Sequence, residues 1–145
     1  MLTRRAFRSR SGFFQKPHEP GSRKWLIAEL DKYTSIIVRR RDRRYVTCGT
    51  RRHLQCSHFY SRRYLAIRFN LLNCNAMCRR CNLRHNSDPF AYMTFMQGHY
   101  GPDVVSELHE LMMALSKVTN DELAQMLGRY KAMIYHRHTP KQEAG

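Results

Sequence analysis

The sequence predicts an α+β domain, and three observations carry that prediction. Apolar residues recur at helical spacing in two places, after Arg23 and through the last third of the chain. Between them, residues 45–58 read as short strands around a turn at Gly49, and Asn73 to Met77 as another strand. The middle segment is also chemically distinct, because residues 45–86 hold eight Lys or Arg and no carboxylate.

Each element follows from a local pattern. Residues 1–22 are rich in Arg, Ser and Gly, with Pro17 and Pro20, and are expected to form a flexible basic arm that folds only on a partner. From Arg23, Leu26, Leu30, Tyr33 and Ile37 form one apolar stripe of a helix. That helix runs out into Arg39-Arg-Arg-Asp-Arg-Arg44, a basic face suited to a phosphate backbone. Residues 59–70 are expected to be a loop, and a helix should begin near Cys78. Asp88-Pro89 opens the next helix, with Pro at the first helical position, where its missing N–H costs nothing. Pro102 opens another, with Val104, Leu108, Leu111, Met112 and Leu115 on one side. Thr119-Asn-Asp-Glu122 is a capping box ahead of Leu123, Met126, Leu127, Tyr130 and Ile134. Together these make one domain over residues 23–138, followed by a frayed tail at 139–145.

At 145 residues there is room for one core. The net charge is +15, and all of the excess lies in the first two thirds, since residues 87–145 carry five Lys or Arg against seven carboxylates. Arg dominates, which favours phosphate over a membrane surface because the guanidinium fork matches phosphate oxygens. No apolar run reaches the ~18 residues of a membrane span, and the opening lacks the apolar stretch of a secretory signal. Five cysteines, including a Cys-x-x-Cys pair and no such signal, point to a reducing, cytoplasmic setting with thiols held for metal or structure.

The chemistry concentrates in Cys56-Ser-His58, Asn73-Cys-Asn-Ala-Met-Cys78-Arg-Arg-Cys81-Asn82 and the following His85-Asn86. Cutting a phosphodiester requires an activated water, a cation to balance developing charge, and a grip on the phosphate. His58 is a base candidate near neutral pH. Asn73 can hydrogen-bond across a hairpin and hold the loop that carries His58. Asn82 and Asn86, at i and i+4, share a helix face with His85 close by, and amide oxygens with an imidazole can ligate a divalent cation weakly. Taken singly, each has a plainer reading: a structural histidine, a turn asparagine, a polar helix end. Cys74 reads as a small buried apolar residue.

His58, Asn73 and Asn82 fall at the spacing of the three signature residues of the HNH nucleases, the ββα-metal fold. The surrounding pattern, from Tyr45-Val-Thr-Cys-Gly49 through Leu54-Gln-Cys-Ser-His-Phe59, Ser61-Arg-Arg63, Leu65-Ala-Ile-Arg-Phe69, Asn73-Cys and Cys78 to Asn82, resembles the phage NinG (Rap) recombination proteins over about residues 24–135. The resemblance implies an HNH ββα-metal core between an N-terminal basic helix and C-terminal helices. It further implies a metal-dependent endonuclease acting on branched or recombining DNA in the host cytoplasm, with His58 as general base and Asn73 fixing its loop. Asn82, with His85 or Asn86, would hold one Mg²⁺ or Mn²⁺. Arg62, Arg63 and Arg68 are the candidates for gripping phosphate, and a homodimer is an open option.

Two positions depart from that pattern. Ser57 stands where many HNH motifs have Asp or His as a metal ligand. Tyr45 stands where the family often has the first cysteine of a structural zinc site, leaving Cys48, Cys78 and Cys81, with Cys56 as the candidate fourth ligand. The alternatives are a zinc-stabilised DNA- or RNA-binding module that has lost efficient chemistry, and a small structural RNA-binding protein.

Overall fold

The computed structural model describes residues 17–43, 48–114 and 117–135. Residues 1–16 of the expected arm, the expected strand at 45–47 with Tyr45, Leu115 and the tail from 136 lie outside the described residues. Mixed helix and strand are present, as an α+β chain requires: α1 (Arg23–Asp42), β1 (Leu54–His58), α2 (Leu65–Arg68), β2 (Cys74–Cys78), α3 (Arg79–His85), α4 (Phe90–Tyr100), α5 (Val104–Met113) and α6 (Asn120–Tyr135).

The central element is α1. Ser22 caps it by accepting from the Trp25 N–H at 3.3 Å, and the basic Arg39, Arg40 and Arg41 sit in its last turn, where the helix dipole favours cations. The expected stripe is buried: Leu26, Leu30, Tyr33 and Ile37 pack on Leu123, Leu127, Tyr130 and Ile134 of α6. The capping box of α6 is formed in both directions, from the Thr119 N–H to Glu122 Oε2 (2.7 Å) and from the Glu122 N–H to Thr119 Oγ1 (3.2 Å). A second buried side of α1, which the stripe did not reveal, carries Thr34 and Val38. Val38 packs against Cys74 and Ala76 of the hairpin, so one helix joins the C-terminal helix to the sheet.

The two strands are antiparallel, with Leu54 opposite Cys78, Cys56 opposite Ala76 and His58 opposite Cys74. Cys74 through Met77 are buried without interruption, because α1 covers one face and α4 and α5 the other. The C-terminal end of α1 is bolted to β2. Asp42 Oδ2 accepts from the Ala76 N–H at 2.7 Å, and the Arg41 guanidinium donates to the carbonyls of Leu71 and Cys74 at 2.7 and 2.8 Å. Buried Asn75 ties the same strand to α4: it donates to the Tyr92 hydroxyl (3.0 Å) and accepts from the Tyr100 hydroxyl (2.7 Å).

Several expectations need correction. The 59–70 loop contains α2, a four-residue helix too short to show a period, whose Ile67 and the following Phe69 are buried anchors. The Tyr130 hydroxyl donates to the Phe69 carbonyl at 2.5 Å and fastens this segment to α6. Pro89 and Pro102 precede their helices rather than starting them: Phe90 and Val104 are the first helical residues. On α5, Val104 and Leu108 are buried, but Leu111 is half exposed because the helix turns that side to solvent.

Leu30 is fully buried at the α1–α6 contact. Leu30→Ala is expected to cost about 2–5 kcal/mol, read from urea denaturation. A loss below about 1 kcal/mol would show that α1 is not the packed centre of the domain.

Candidate functional site

The site begins with the turn after β1. The Asn73 amide is completely buried; its Oδ1 accepts from the Tyr60 N–H at 2.8 Å, and its Nδ2 donates to the carbonyls of Tyr60 and Ile67 at 3.1 and 3.2 Å. One side chain thus closes the loop leaving His58 onto the loop entering β2. The Phe59 N–H adds a bond to the Asn73 carbonyl at 2.8 Å. Held this way, His58 Nε2 lies 2.9 Å from the Arg68 carbonyl. A carbonyl can only accept, so Nε2 carries the proton and Nδ1 is the bare acceptor of the neutral ring.

His58 lines a cavity of about 360 Å³ between α1 and β1, together with Asp31, Thr34, Arg39, Cys56 and Arg62. Asp31 draws two of the expected phosphate grips to itself. Arg68 contacts both carboxylate oxygens, at 3.0 and 2.6 Å, and Arg62 contacts one at 2.7 Å. Burial, the largest single cause, pushes the Asp31 carboxyl up, but the hydrogen bonds and charges of Arg68 and Arg62 together outweigh it and hold the group below the ordinary carboxylate range. Arg68 is thereby a positioning residue, guanidinium on Asp31 and carbonyl on His58. Arg62 remains exposed beside His58, and exposed Arg63 lies over the Tyr64 ring, 4.6 Å from its centroid.

The expected amide set lies on the other side of β1. Asn82 Oδ1 accepts from Ser57 Oγ at 2.7 Å, and its Nδ2 donates to Gln55 Oε1 at 3.3 Å. Gln55 and Ser57 alternate with Cys56 and His58 along the strand, so Ser57 and Asn82 lie on the face opposite His58, while the exposed Gln55 also lines the His58 cavity. His85 does not join Asn82: its Nε2 donates to the Phe59 carbonyl at 3.3 Å, and its ring meets Phe59 and Tyr92. His85 Nδ1 is buried without a hydrogen bond and shares a cavity of about 60 Å³ with Asp88. Asn86 ends α3 and is exposed.

The cysteines divide into two groups. The sulfurs of Cys48, Cys78 and Cys81 lie within 4.8 Å of one another, Cys48 and Cys78 at 3.9 Å. The Cys81 backbone N–H is the main cause that lowers the Cys78 thiol below its usual range, as a metal-ligating thiolate requires. Three thiols in one cluster fit a zinc ion one ligand short of a closed tetrahedral site. Cys56 does not complete it. Opposite Ala76 rather than beside Cys78, it clusters instead with His58 and Cys74. Cys74 is fully buried beside Val38 and Ala76, as a small apolar residue would be.

Sequence reasoning passed over Asp31, Thr34 and Asn75, and took Ser57 only for a missing metal ligand. What Asp31, Ser57 and Asn75 bond to lies far off in the chain, and no local pattern signals it; the nearest signal was Asp31 as an acidic residue within a basic helix.

Burial, followed by the Arg62 charge, holds the His58 imidazole below its ordinary value of 6.5. The unfolded chain therefore takes up the proton first as pH falls. The stability that neutral His58 contributes is fully present above about pH 6.5 and is lost as pH drops through the folded value. The wild-type urea midpoint should fall more steeply between about pH 7.5 and about pH 5 than that of His58→Gln, which cannot take a proton there. Parallel profiles would refute the burial of this ring.

Among the described residues no helix is long and apolar enough to cross a membrane. No curated protein and no solved structure matches the chain. The family described as Bacteriophage Lambda NinG protein does match, over residues 4–139. That match spans nearly all of the 145 residues, so the chain belongs to the NinG family.

Proposed function

We propose that the chain is a metal-dependent DNA endonuclease of the HNH type that cuts branched or recombination-intermediate DNA. The observation that carries this reading is the state of His58: a neutral ring with Nε2–H fixed on a carbonyl and Nδ1 left to accept. It stands in an arginine-walled cavity at the end of a pinned hairpin. An imidazole so oriented can take a proton from water at neutral pH without first being turned or deprotonated.

In the proposed reaction His58 Nδ1 removes the proton as water attacks phosphorus. Arg62 and Arg63, exposed just past the base, hold the nonbridging oxygens of the phosphate. Asn73 keeps the base from swinging away. The oxygens of Asn82, Ser57 and Gln55 cluster across the strand, a donor set that suits a hard cation. A divalent cation, Mg²⁺ or Mn²⁺, held there with the exposed Asn86, or with His85 once its ring leaves the Phe59 carbonyl, would supply positive charge to the leaving 3′ oxygen, giving 5′-phosphate and 3′-hydroxyl ends. No carboxylate occurs from Arg43 to Ser87, so the protein alone binds that cation weakly and substrate phosphate completes its shell. The choice of branched DNA rests on family membership and not on any contact.

One observation favours a second reading, a module that binds nucleic acid without cutting it. Ser57 and Asn82 already satisfy each other at 2.7 Å where a stronger ligand set would take the metal.

Labelled four-way junction, fork mimic and linear duplex, each with Mg²⁺ or Mn²⁺, separate the two. Wild type is expected to cut the branched substrates, and His58→Ala to cut slower by about 10²–10⁴-fold with its binding kept. If about six phosphates are contacted, binding should weaken with a log–log salt slope near −5. Tight binding with no cutting by either protein would establish the second reading. A slope near −1 would rule out a broad basic face.

A further inference from the structure

We propose that Cys56, His58 and Cys74 form a second cation site, selective for a thiophilic ion such as Zn²⁺, and that filling it withdraws the base from use. The ligand atoms of these three residues lie within 4.8 Å of one another. Cys56 and His58 share the α1 face of β1, and Cys74 stands directly opposite His58. Two sulfurs and an imidazole nitrogen are the donors that zinc and other soft or borderline cations prefer over the oxygen sets taken by magnesium.

This site is separate from the Cys48, Cys78 and Cys81 group. Cys78 pairs with Leu54 at one end of the hairpin, and Cys74 pairs with His58 at the other. Four strand residues put about 13 Å between the two ends.

A second observation points to a ligand in the same place. Thr34 Oγ1 is buried without a hydrogen bond, and Thr34 lines the cavity that Cys56 and His58 also line. A hydrated ion on the two sulfurs and the ring would bring a water within reach of that hydroxyl, and Asp31 lines the same wall. A bound zinc ion would displace the thiol protons of Cys56 and Cys74. Two thiolates with one divalent cation leave no net charge, so the surrounding guanidiniums do not repel the filled site. They do disfavour a hard cation brought in without thiolates.

A disulfide is the competing fate of two neighbouring sulfurs, and the register argues against it. Cys56 faces Ala76, so Cys56 and Cys74 are a diagonal pair. Diagonal positions stand about 7–8 Å apart, beyond the ~7 Å that a disulfide spans without backbone movement. A metal ion bridges that gap because each sulfur need only reach about 2.3 Å to a shared centre.

The effect on cleavage rests on the nuclease reading above; the site itself does not. A nitrogen of His58 that ligates zinc locks the ring, which then cannot serve as the base. Mg²⁺ would support cleavage and thiophilic ions would oppose it.

Cobalt(II) titration, read by thiolate-to-metal charge-transfer absorption, tests the site without any activity assay. Wild type is expected to bind one equivalent more than Cys56→Ser, with the Cys56-dependent equivalent retained in Cys78→Ser. Cys56 is partly exposed at the cavity, and circular dichroism of Cys56→Ser and Cys56→Ala checks that both fold. Equal cobalt uptake by wild type and folded Cys56→Ser overturns the site. In the second arm, micromolar Zn²⁺ added to a Mg²⁺ reaction should lower wild-type cleavage at least tenfold while leaving Cys56→Ser at its own zinc-free rate. Cys56-dependent cobalt binding with no cleavage under any condition would leave the site standing and the nuclease reading fallen. Binding without zinc inhibition in an active enzyme would overturn the withdrawal of His58.

Discussion

The structure depends on one buried amide. Asn73 bonds to both backbone groups of Tyr60 and to the carbonyl of Ile67, three contacts that no hydroxyl or carboxylate could make together. They fix the length of the connection between the strands, and with it the register that puts His58 opposite Cys74. They also hold α2 so that the Arg68 carbonyl meets His58. A slip of one residue would turn His58 to the α4 side and Ser57 to the α1 side, exchanging the chemistry of the two faces. Register here therefore decides which side chains face the cavity beside α1.

Around that hairpin the domain is organised by α1, whose two buried sides join α6 to β2. Its charged residues do different work at different points. Asp42 closes the edge of β2. Asp31 gathers Arg62 and Arg68 beside His58. Arg39 stays exposed at the cavity, its Nε donating to the Ser35 carbonyl, and Arg40 next to it in the chain is exposed as well. The acidic residues of a basic helix thus order the arginines, Asp31 holding Arg62 and Arg68 and Asp42 holding Arg41, rather than merely lowering the net charge.

The long helices were legible because burial at a 3.6-residue period leaves a stripe: Leu26, Leu30, Tyr33 and Ile37 needed nothing else. The capping box at Thr119 was legible because both its partners are local. The strands at 54–58 and 74–78 were legible too, but α2 was not, since four residues cover barely one turn. Leu111 shows the reverse error, since an apolar residue at the right spacing need not find a partner. In the site, the clamp by Asn73 could be read from spacing, whereas the division of the cysteines could not. Which thiols meet depends on strand register, and register is set by the turn, so Cys56 parted from Cys78 for reasons invisible in the motif. The Ser57–Asn82 contact and the Asn75 network likewise join residues whose proximity exists only after folding.

The central claim is that the fold delivers a neutral, oriented imidazole at the end of a pinned hairpin. Heteronuclear NMR of the His58 ring, in wild type and Asn73→Ala, tests it most directly. The structure predicts that wild type at pH 7 shows one tautomer, protonated at Nε2 and bare at Nδ1, and that Asn73→Ala shows exchange between tautomers. A ring protonated on both nitrogens at pH 7, a proton on Nδ1 alone, or a wild-type pattern preserved in Asn73→Ala would contradict it.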